Sequence, residues 1–349
     1  MTCNHFRPGP LFLLFRRLSG LVPTLAGVTV VTFILTRILP GDPAVFFTSS
    51  PNADAATIQA VRVSLGLDQP LWRQFILYLE HLLHGDLGQS IVTGQPVLRD
   101  LLVRLPASAE LTLVAFLLAV AVALPLGIAA ALRPNSWLDH ACRLVSTAGV
   151  SLPTFVTGLL LIYLFYYLAQ IAPEPIGRLD PFLTSPHLVT GFLLFDSVLI
   201  GDRKVFGSAL AQLVLPAATM ALFALAPLAR TTRAAMLGTL GSEFVRTARA
   251  NGLSRRTVVM SYAFRNALLS ILTTFSMVFS YMLGANVLVE RVFAWPGIGS
   301  YALDSLLALD YAPVQGFMLA MATIFVQVNL LVDLAYAVVD PRWVVQSSG

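Results

Sequence analysis

"EFVRTARANGLSRRTVVMSYAFRNAL" (243–268) gathers five arginines into 26 positions of a 349-residue chain that is 57% hydrophobic and only 11% charged. Soluble domains carry about a quarter charged residues and rarely more than half apolar ones. With a mean hydropathy of +0.78, this chain belongs in a membrane. Its arginines must then sit outside the hydrocarbon, since each would cost about 2.5 to 3.5 kcal/mol at the centre of a spanning helix.

Locally the stretch predicts a bent knuckle. Glu243 to Asn251 suits a short helix with Arg246 and Arg249 on one side and Phe244, Val245 and Ala248 on the other. Gly252 is suited to ending it, Ser254 to capping the next helix, and Leu253 and Val258 have the spacing of a hydrophobic staple. A plain positive-inside loop or attraction to anionic lipid needs only charge. Small residues at Ala248 and Ala250, the glycine and the staple argue instead for a fixed shape that fits a protein groove.

Working outward, six apolar runs are long enough to cross about 30 Å of hydrocarbon: 18–39, 109–132, 144–170, 209–230, 267–289 and 316–338. Each predicts a helix, because isolated runs have no other way to satisfy their backbone in lipid. The first run is too long for a signal-peptide core and has no A-x-A site after it, so it reads as a retained anchor. With the N-terminus inside, thirteen arginines face four acids on the inner side, leaving nine basic and fourteen acidic residues outside. The positive-inside rule then places both termini and the knuckle in the cytoplasm. The expected architecture is an all-α polytopic membrane protein with six transmembrane helices.

Three regions follow: an N-terminal tail and first transmembrane helix (1–40), an external helical insert (41–107), and a core (108–349) with five spans and the inner loop at about 231–266. Within the insert, "PLWRQFILYLEHLL" (70–83) puts Leu71, Trp72, Phe75, Ile76, Leu79, Leu82 and Leu83 on one helical stripe. It is too short to span and is expected to lie on the membrane or pack on the bundle. Pro23, Pro125, Pro153, Pro216 and Pro227 fall inside spans, where proline is tolerated beside neighbours or a water-filled cavity. Cys3 and Cys142 show no metal or disulfide spacing. The pI of 9.3 needs no nucleic-acid partner, since the basic residues alternate with the spans.

At the knuckle the sequence resembles the inner-membrane permeases of dipeptide and oligopeptide ABC importers. "RTARANGLS" (246–254) is similar to a variant of their EAA coupling loop. Further resemblance lies in "LFRRLSGLVPTLAGVTVVTFILTRILPGDP" (14–43), "GLDQPLWRQFILYLEHLLHGDLGQS" (66–90), "FAWPGIGSYALDSLLALDYAPVQG" (293–316) and "VNLLVDLAYAVVDPR" (328–342). The resemblance implies the type I importer permease fold and a coupling loop made by Glu243, Arg246, Thr247, Ala248, Arg249, Gly252, Leu253 and Ser254. Arg246, Thr247 and Ala248 take the three signature positions, so a salt bridge to an ATPase from the first of them has Arg246 as its cationic half. Implied partners are a second homologous permease, two ATPases that bind the ATP and Mg, an external substrate-binding protein and a peptide substrate. The chain itself has no G-x-x-x-x-G-K-[ST] phosphate loop. No cofactor is expected in this subunit, and it is not expected to be an enzyme.

Candidate pathway or gate residues are Pro153, the pair Asn286 and Glu290 on one face at the outer end of span five, and Asp310. The segment 290–313 reads either as a flexible external loop reaching the binding protein or as an interfacial aromatic belt of Phe293, Trp295 and Tyr301. Asn329 and Asp333 share a face of the last span, which suits interhelical hydrogen bonding. Ser151 in "GVSLP" (149–153) would need a nearby base to act as a nucleophile. None of His5, His81, His84, His140 and His187 falls in a span, so the serine is read as mending a kinked backbone. The runner-up is a channel or ion-coupled transporter, which has no use for a docking loop and calls for paired broken helices with intramembrane acids.

Overall fold

The computed structural model describes residues 23–35, 37, 55–64, 66, 68–184, 186 and 189–339. Expectations for the tail before residue 23, for 38–54 and for Arg342 lie outside them, as does the side chain of Asp333. In chain order the helices are α1 (Pro23–Leu35), α2 (Ala55–Ser64), α3 (Leu71–Leu83), α4 (Val97–Leu132), α5 (Trp137–Ser151) and α6 (Thr154–Leu161, continued by a π-helical turn to Leu168). They are followed by α7 (Leu193–Ile200), α8 (Arg203–Leu240), α9 (Glu243–Ala250), α10 (Arg255–Val292, π-helical over Val258–Phe264), α11 (Ile298–Leu307) and α12 (Tyr311–Val339). Among the described residues there is no strand, only an isolated bridge between Gln89 and Pro96. Four helices, α4, α8, α10 and α12, are long and apolar enough to cross a membrane, and α1 and α6 with its π turn are shorter apolar helices.

Three expected boundaries shift, each for a physical reason. The division at 107/108 falls inside α4, which starts ten residues earlier at Val97 and runs through Pro106. Likewise the fourth span does not stop at 230; α8 continues to Leu240, which shortens the inner loop to the segment from Gly241 to Ser254. Hydropathy marks the part of a helix at lipid depth and not its ends, and 36 or 38 residues reach about 55 Å. The third span, expected as one run from 144 to 170, is broken between α5 and α6. Pro153 lacks an N–H and forces its predecessor out of helical geometry, so Leu152 is extended at φ −110°, ψ 136°.

The core is built on α8, which packs along α4, α5, α6, α7 and α10. On α4, Leu111, Ala115, Ala119, Ala123, Gly127 and Ala131 recur every fourth residue and are all buried. They form a flat seam that lets the backbone of α8 approach, as small residues do at helix contacts in membranes. At Gly127 a Cβ would stand 2.7 Å from Thr232 Cβ and 2.9 Å from the Ala229 carbonyl; at Gly149 on α5 it would stand 2.9 Å from the Leu222 carbonyl. Nothing larger than hydrogen fits.

At one end of the bundle the segment 293–300 folds inward as a plug. Phe293, Trp295 and Tyr301 are buried, and Trp295 Nε1 donates to the Ala107 carbonyl at 2.9 Å. Neither the flexible loop nor the interfacial belt describes it, because its aromatic rings are packed against α4, α10 and α12 and not presented to solvent. Its fastening is Glu290, fully buried, which accepts from Ser108 Oγ, Asn286 Nδ2 and the Ser300 N–H. A Cβ at residue 297 would lie 2.2 Å from Glu290 Oε1, which explains the glycine at that position. Asp310, also buried, accepts from Ser90 Oγ and the Ile91 and Val92 N–H groups, tying the start of α12 to the segment before α4. Of the α3 stripe, Phe75 packs edge-on against Phe33 of α1, while Leu71, Trp72, Ile76 and Leu83 remain exposed.

Three variants test this packing in thermal denaturation of the purified chain in detergent. Gly127→Val is expected to lose stability by about 2 kcal/mol through overpacking, whereas Gly238→Ala, where a Cβ meets nothing within 4 Å, gains from helix propensity. Glu290→Ala removes the common acceptor of three donors, two of them buried, and is expected to cost about 3 kcal/mol.

Candidate functional site

The basic knuckle begins where α8 ends. Val245 and Ala248, three apart on α9, are buried and seat it in an apolar cluster with Ala131 of α4, Met236 of α8 and Val258, Ala263 and Ala267 of α10. Phe244, expected on the same side, is instead 43% exposed. Its position one residue before Val245 turns it about 100° away from the seat. Arg246, Thr247 and Arg249 also point outward.

A hydrogen-bonded turn fixes the bend after α9. Gly252 takes φ +77°, its N–H donates to the Arg249 carbonyl at 3.0 Å, and the Leu253 N–H donates to the Ala248 carbonyl at 3.3 Å. This double bond pattern is the Schellman motif, and the left-handed residue within it favours glycine. Ser254 then caps α10, its Oγ accepting from the Thr257 N–H at 3.2 Å. Arg246 is bridged at 2.7 Å to Glu243, both well exposed, while Arg249, Arg255 and Arg256 have no ion-pair partner among the described residues. Beside the knuckle a cleft of about 620 Å³ opens between Leu132, Leu240, Arg249, Leu253 and Arg255. The surface therefore offers an exposed aromatic ring among unneutralised cations on a stiff support, which suits docking of a folded partner. It carries no group placed for covalent chemistry.

The other candidate residues are separated from this surface and from one another. Pro153 marks the break between α5 and α6 and is exposed. Glu290 fastens the plug with both oxygens engaged, while Asp310 ties α12 to the segment before α4 through Oδ2 alone, its buried Oδ1 having no hydrogen-bond partner among the described residues. Asn286 donates to Glu290 and borders an apolar cavity of about 180 Å³ between α4, α10, α11 and α12. On the last helix Asn329 accepts from Ser276 Oγ of α10, an interhelical bond of the kind expected for that face. Ser151 Oγ donates to the Thr147 carbonyl at 2.7 Å, one turn back on its own helix.

Two buried charge clusters were missed in the sequence. Glu110 of α4 pairs with Arg178 and accepts from the Leu194 N–H at 2.8 Å, holding the 171–192 loop to the bundle. Asp139 of α5 is fully buried and accepts from Arg233 of α8, from Arg143 and from the Asn135 N–H. Its hydrogen bonds to Arg233 and then Arg143 hold its carboxyl well below the usual carboxylate range. The i, i+4 spacing of Asp139 and Arg143 was a visible signal; the distant Arg233 and Arg178 left none.

Comparison with known proteins places this geometry. Residues 123–345 match the family described as "Binding-protein-dependent transport system inner membrane component", and residues 11–112 match its N-terminal region. Over 330 residues the chain is 46% identical to the probable D,D-dipeptide transport system permease protein DdpB of Escherichia coli strain K12, covering 95% of this chain and 96% of that one. It is 41% identical over 332 residues to the di/tripeptide transport system permease protein DppB of Pseudomonas aeruginosa strain UCBPP-PA14, and 37% identical over 334 residues to the dipeptide transport system permease protein DppB of E. coli K12, in both cases covering 95% of this chain and 98% of the relative. An ion-coupled transporter has no support in this kinship. With these matches and an apolar bundle that is all-helical among the described residues, the chain belongs to the binding-protein-dependent inner-membrane components, the permease subunits of ABC importers, which are transport subunits and not enzymes.

Proposed function

We propose that this chain forms half of the transmembrane pathway of an ATP-driven importer for short peptides. The basic end of the bundle is cytoplasmic, with six spans and both termini on that side. The other half is a second, homologous permease, an external binding protein delivers the peptide, and two ATPases hold the ATP and Mg. The relatives' di- and tripeptide transport supports the solute class. The observation that carries the coupling role is the seat of α9: Val245 and Ala248 are buried in one apolar cluster with Ala131 at the end of α4, Met236 near the end of α8 and Val258, Ala263 and Ala267 at the start of α10. A push on Phe244, Arg246 and Arg249 therefore reaches three spanning helices at once, and Schellman and cap bonds keep the knuckle from absorbing it. Closure of the ATPases on ATP would tilt those helices and switch the bundle between outward-open and inward-open states.

Reconstitution with the ATPases, second permease and binding protein is expected to give peptide uptake that stops without ATP; uptake driven by an ion gradient alone would overturn the reading. Gly252→Pro forbids φ +77° and is expected to leave membrane insertion intact while lowering uptake at least about tenfold relative to ATP hydrolysis. Arg246→Glu, at an exposed position, is expected to change stability by less than about 0.5 kcal/mol yet weaken capture of the ATPases in pull-down. Normal uptake in both variants would remove the knuckle from the mechanism.

A further inference from the structure

A second basic feature lies on the outer face of α5 and α8, apart from the knuckle. A groove of about 550 Å³ is lined by Arg143, Ser146, Thr147 and Ser151 of α5 and by Arg230 and Arg233 of α8. Arg143, Thr147 and Ser151 stand at i, i+4 and i+8 and are all exposed, so they form one polar stripe about 12 Å long. The stripe ends at the extended Leu152–Pro153 break, where the last carbonyls of α5 have no helical partner. Bare carbonyls and a hydroxyl stripe do not face lipid tails; at membrane depth they are found beside protein or a water-filled cavity.

The charges at the mouth of the groove are unbalanced. Asp139 is the one carboxylate bonded there, shared between Arg233 and Arg143, and Arg230 has no ion-pair partner among the described residues. Three guanidinium groups against one carboxylate leave an excess of two positive charges. The Ser146 hydroxyl is buried in the same groove with no hydrogen-bond partner except the weak one offered by the Cys142 thiol beside it. Thr147 and Ser151 spend their hydroxyl protons on the carbonyls one turn back, at 3.0 and 2.7 Å, so their oxygens face the groove as acceptors. Donors gathered at one end and acceptors along the stripe match a peptide whose carboxylate leads and whose amide N–H groups follow. An extended tripeptide of about 10 Å fits that length.

Resting on the reading of the chain as a peptide permease, we infer that this groove is a transit station for the carboxylate end of the peptide, with Arg230 and Ser146 as its donors. The test uses the assembled transporter in lipid nanodiscs, with Ser151→Cys as the reporter on a Cys3→Ser, Cys142→Ala background. The reporter is expected to react about tenfold faster with a sulfonate-bearing methanethiosulfonate than with a trimethylammonium one, a preference that Arg230→Gln abolishes and Arg230→Lys keeps. Millimolar dialanine is expected to slow the labelling severalfold and dialanine amide to leave it unchanged. Equal labelling by both reagents, or no protection by dialanine while the parent transporter still imports peptide with ATP, overturns the station and leaves the permease reading standing. Loss of the second permease from Arg230→Gln preparations would reassign Arg230 to a subunit contact and overturn it too. So would protection by anionic lipid in place of dialanine. Absence of ATP-driven peptide uptake by the parent would instead remove the permease reading and the station with it.

Discussion

The contact on which the rest depends is the near-touching of α4 and α8 along alanines and one glycine. In lipid no hydrophobic force drives helices together, because the tails are as apolar as leucine, and association rests on close packing and interhelical hydrogen bonds. Apart from Leu111 at one end, the seam residues have no side chain beyond Cβ and give up the hydrophobic bulk that a soluble core would use. They gain backbone proximity instead, and with it a fixed register between two helices each about 55 Å long. Because both helices run past the expected hydrocarbon depth, that register is carried into the soluble ends of the bundle, where the plug at one end and the knuckle at the other are attached.

Those two ends are fastened by different chemistry. At the plug, buried carboxylates on Glu290 and Asp310 collect hydrogen bonds from hydroxyl, amide and backbone donors, fixing loops that would otherwise be free to open. At the knuckle the fastening is apolar: Val245 and Ala248 are buried among Ala131, Met236, Val258, Ala263 and Ala267. An apolar seat tolerates small sliding better than a network in which each displaced donor is left unpaired. The end proposed to receive the push is thus the end whose contacts can shift, and the opposite end is built to hold.

The knuckle was the most legible part of the sequence, since its signals are local: a glycine that must be left-handed, a serine three residues before the N–H it caps, and small residues at helical spacing. Phe244 escaped that reading because one residue of helical rotation separates a seated side chain from an exposed one. Long-range polar contacts were not legible. Glu290 looks like a carboxylate at an interface until the chain returns at Gly297 and Ser300 to enclose it, and Asp139 acquires Arg233 only through the packing of α5 on α8. The four-residue period from Leu111 to Ala131 was present in the sequence but was submerged in a run hydrophobic on all sides, where periodicity of size, not of polarity, carries the information.

The same contrast bears on where a path through the bundle lies. Glu290 attracts notice as an acid near a spanning segment, yet its oxygens are occupied, and a side chain already satisfied has little to offer a passing solute. What is left open is quieter in sequence: a proline that breaks α5 from α6, the acceptor oxygens of Thr147 and Ser151, the buried Ser146 hydroxyl and a guanidinium on α8. An exposed cation and bare carbonyls cannot face lipid tails without large cost, so that face needs water or a polar partner, whereas the leucine- and aromatic-rich face of α6 does not. The α5–α8 face is therefore one whose chemistry requires a wet cavity, and a permease that joins a second subunit to enclose such a cavity would place this face towards it.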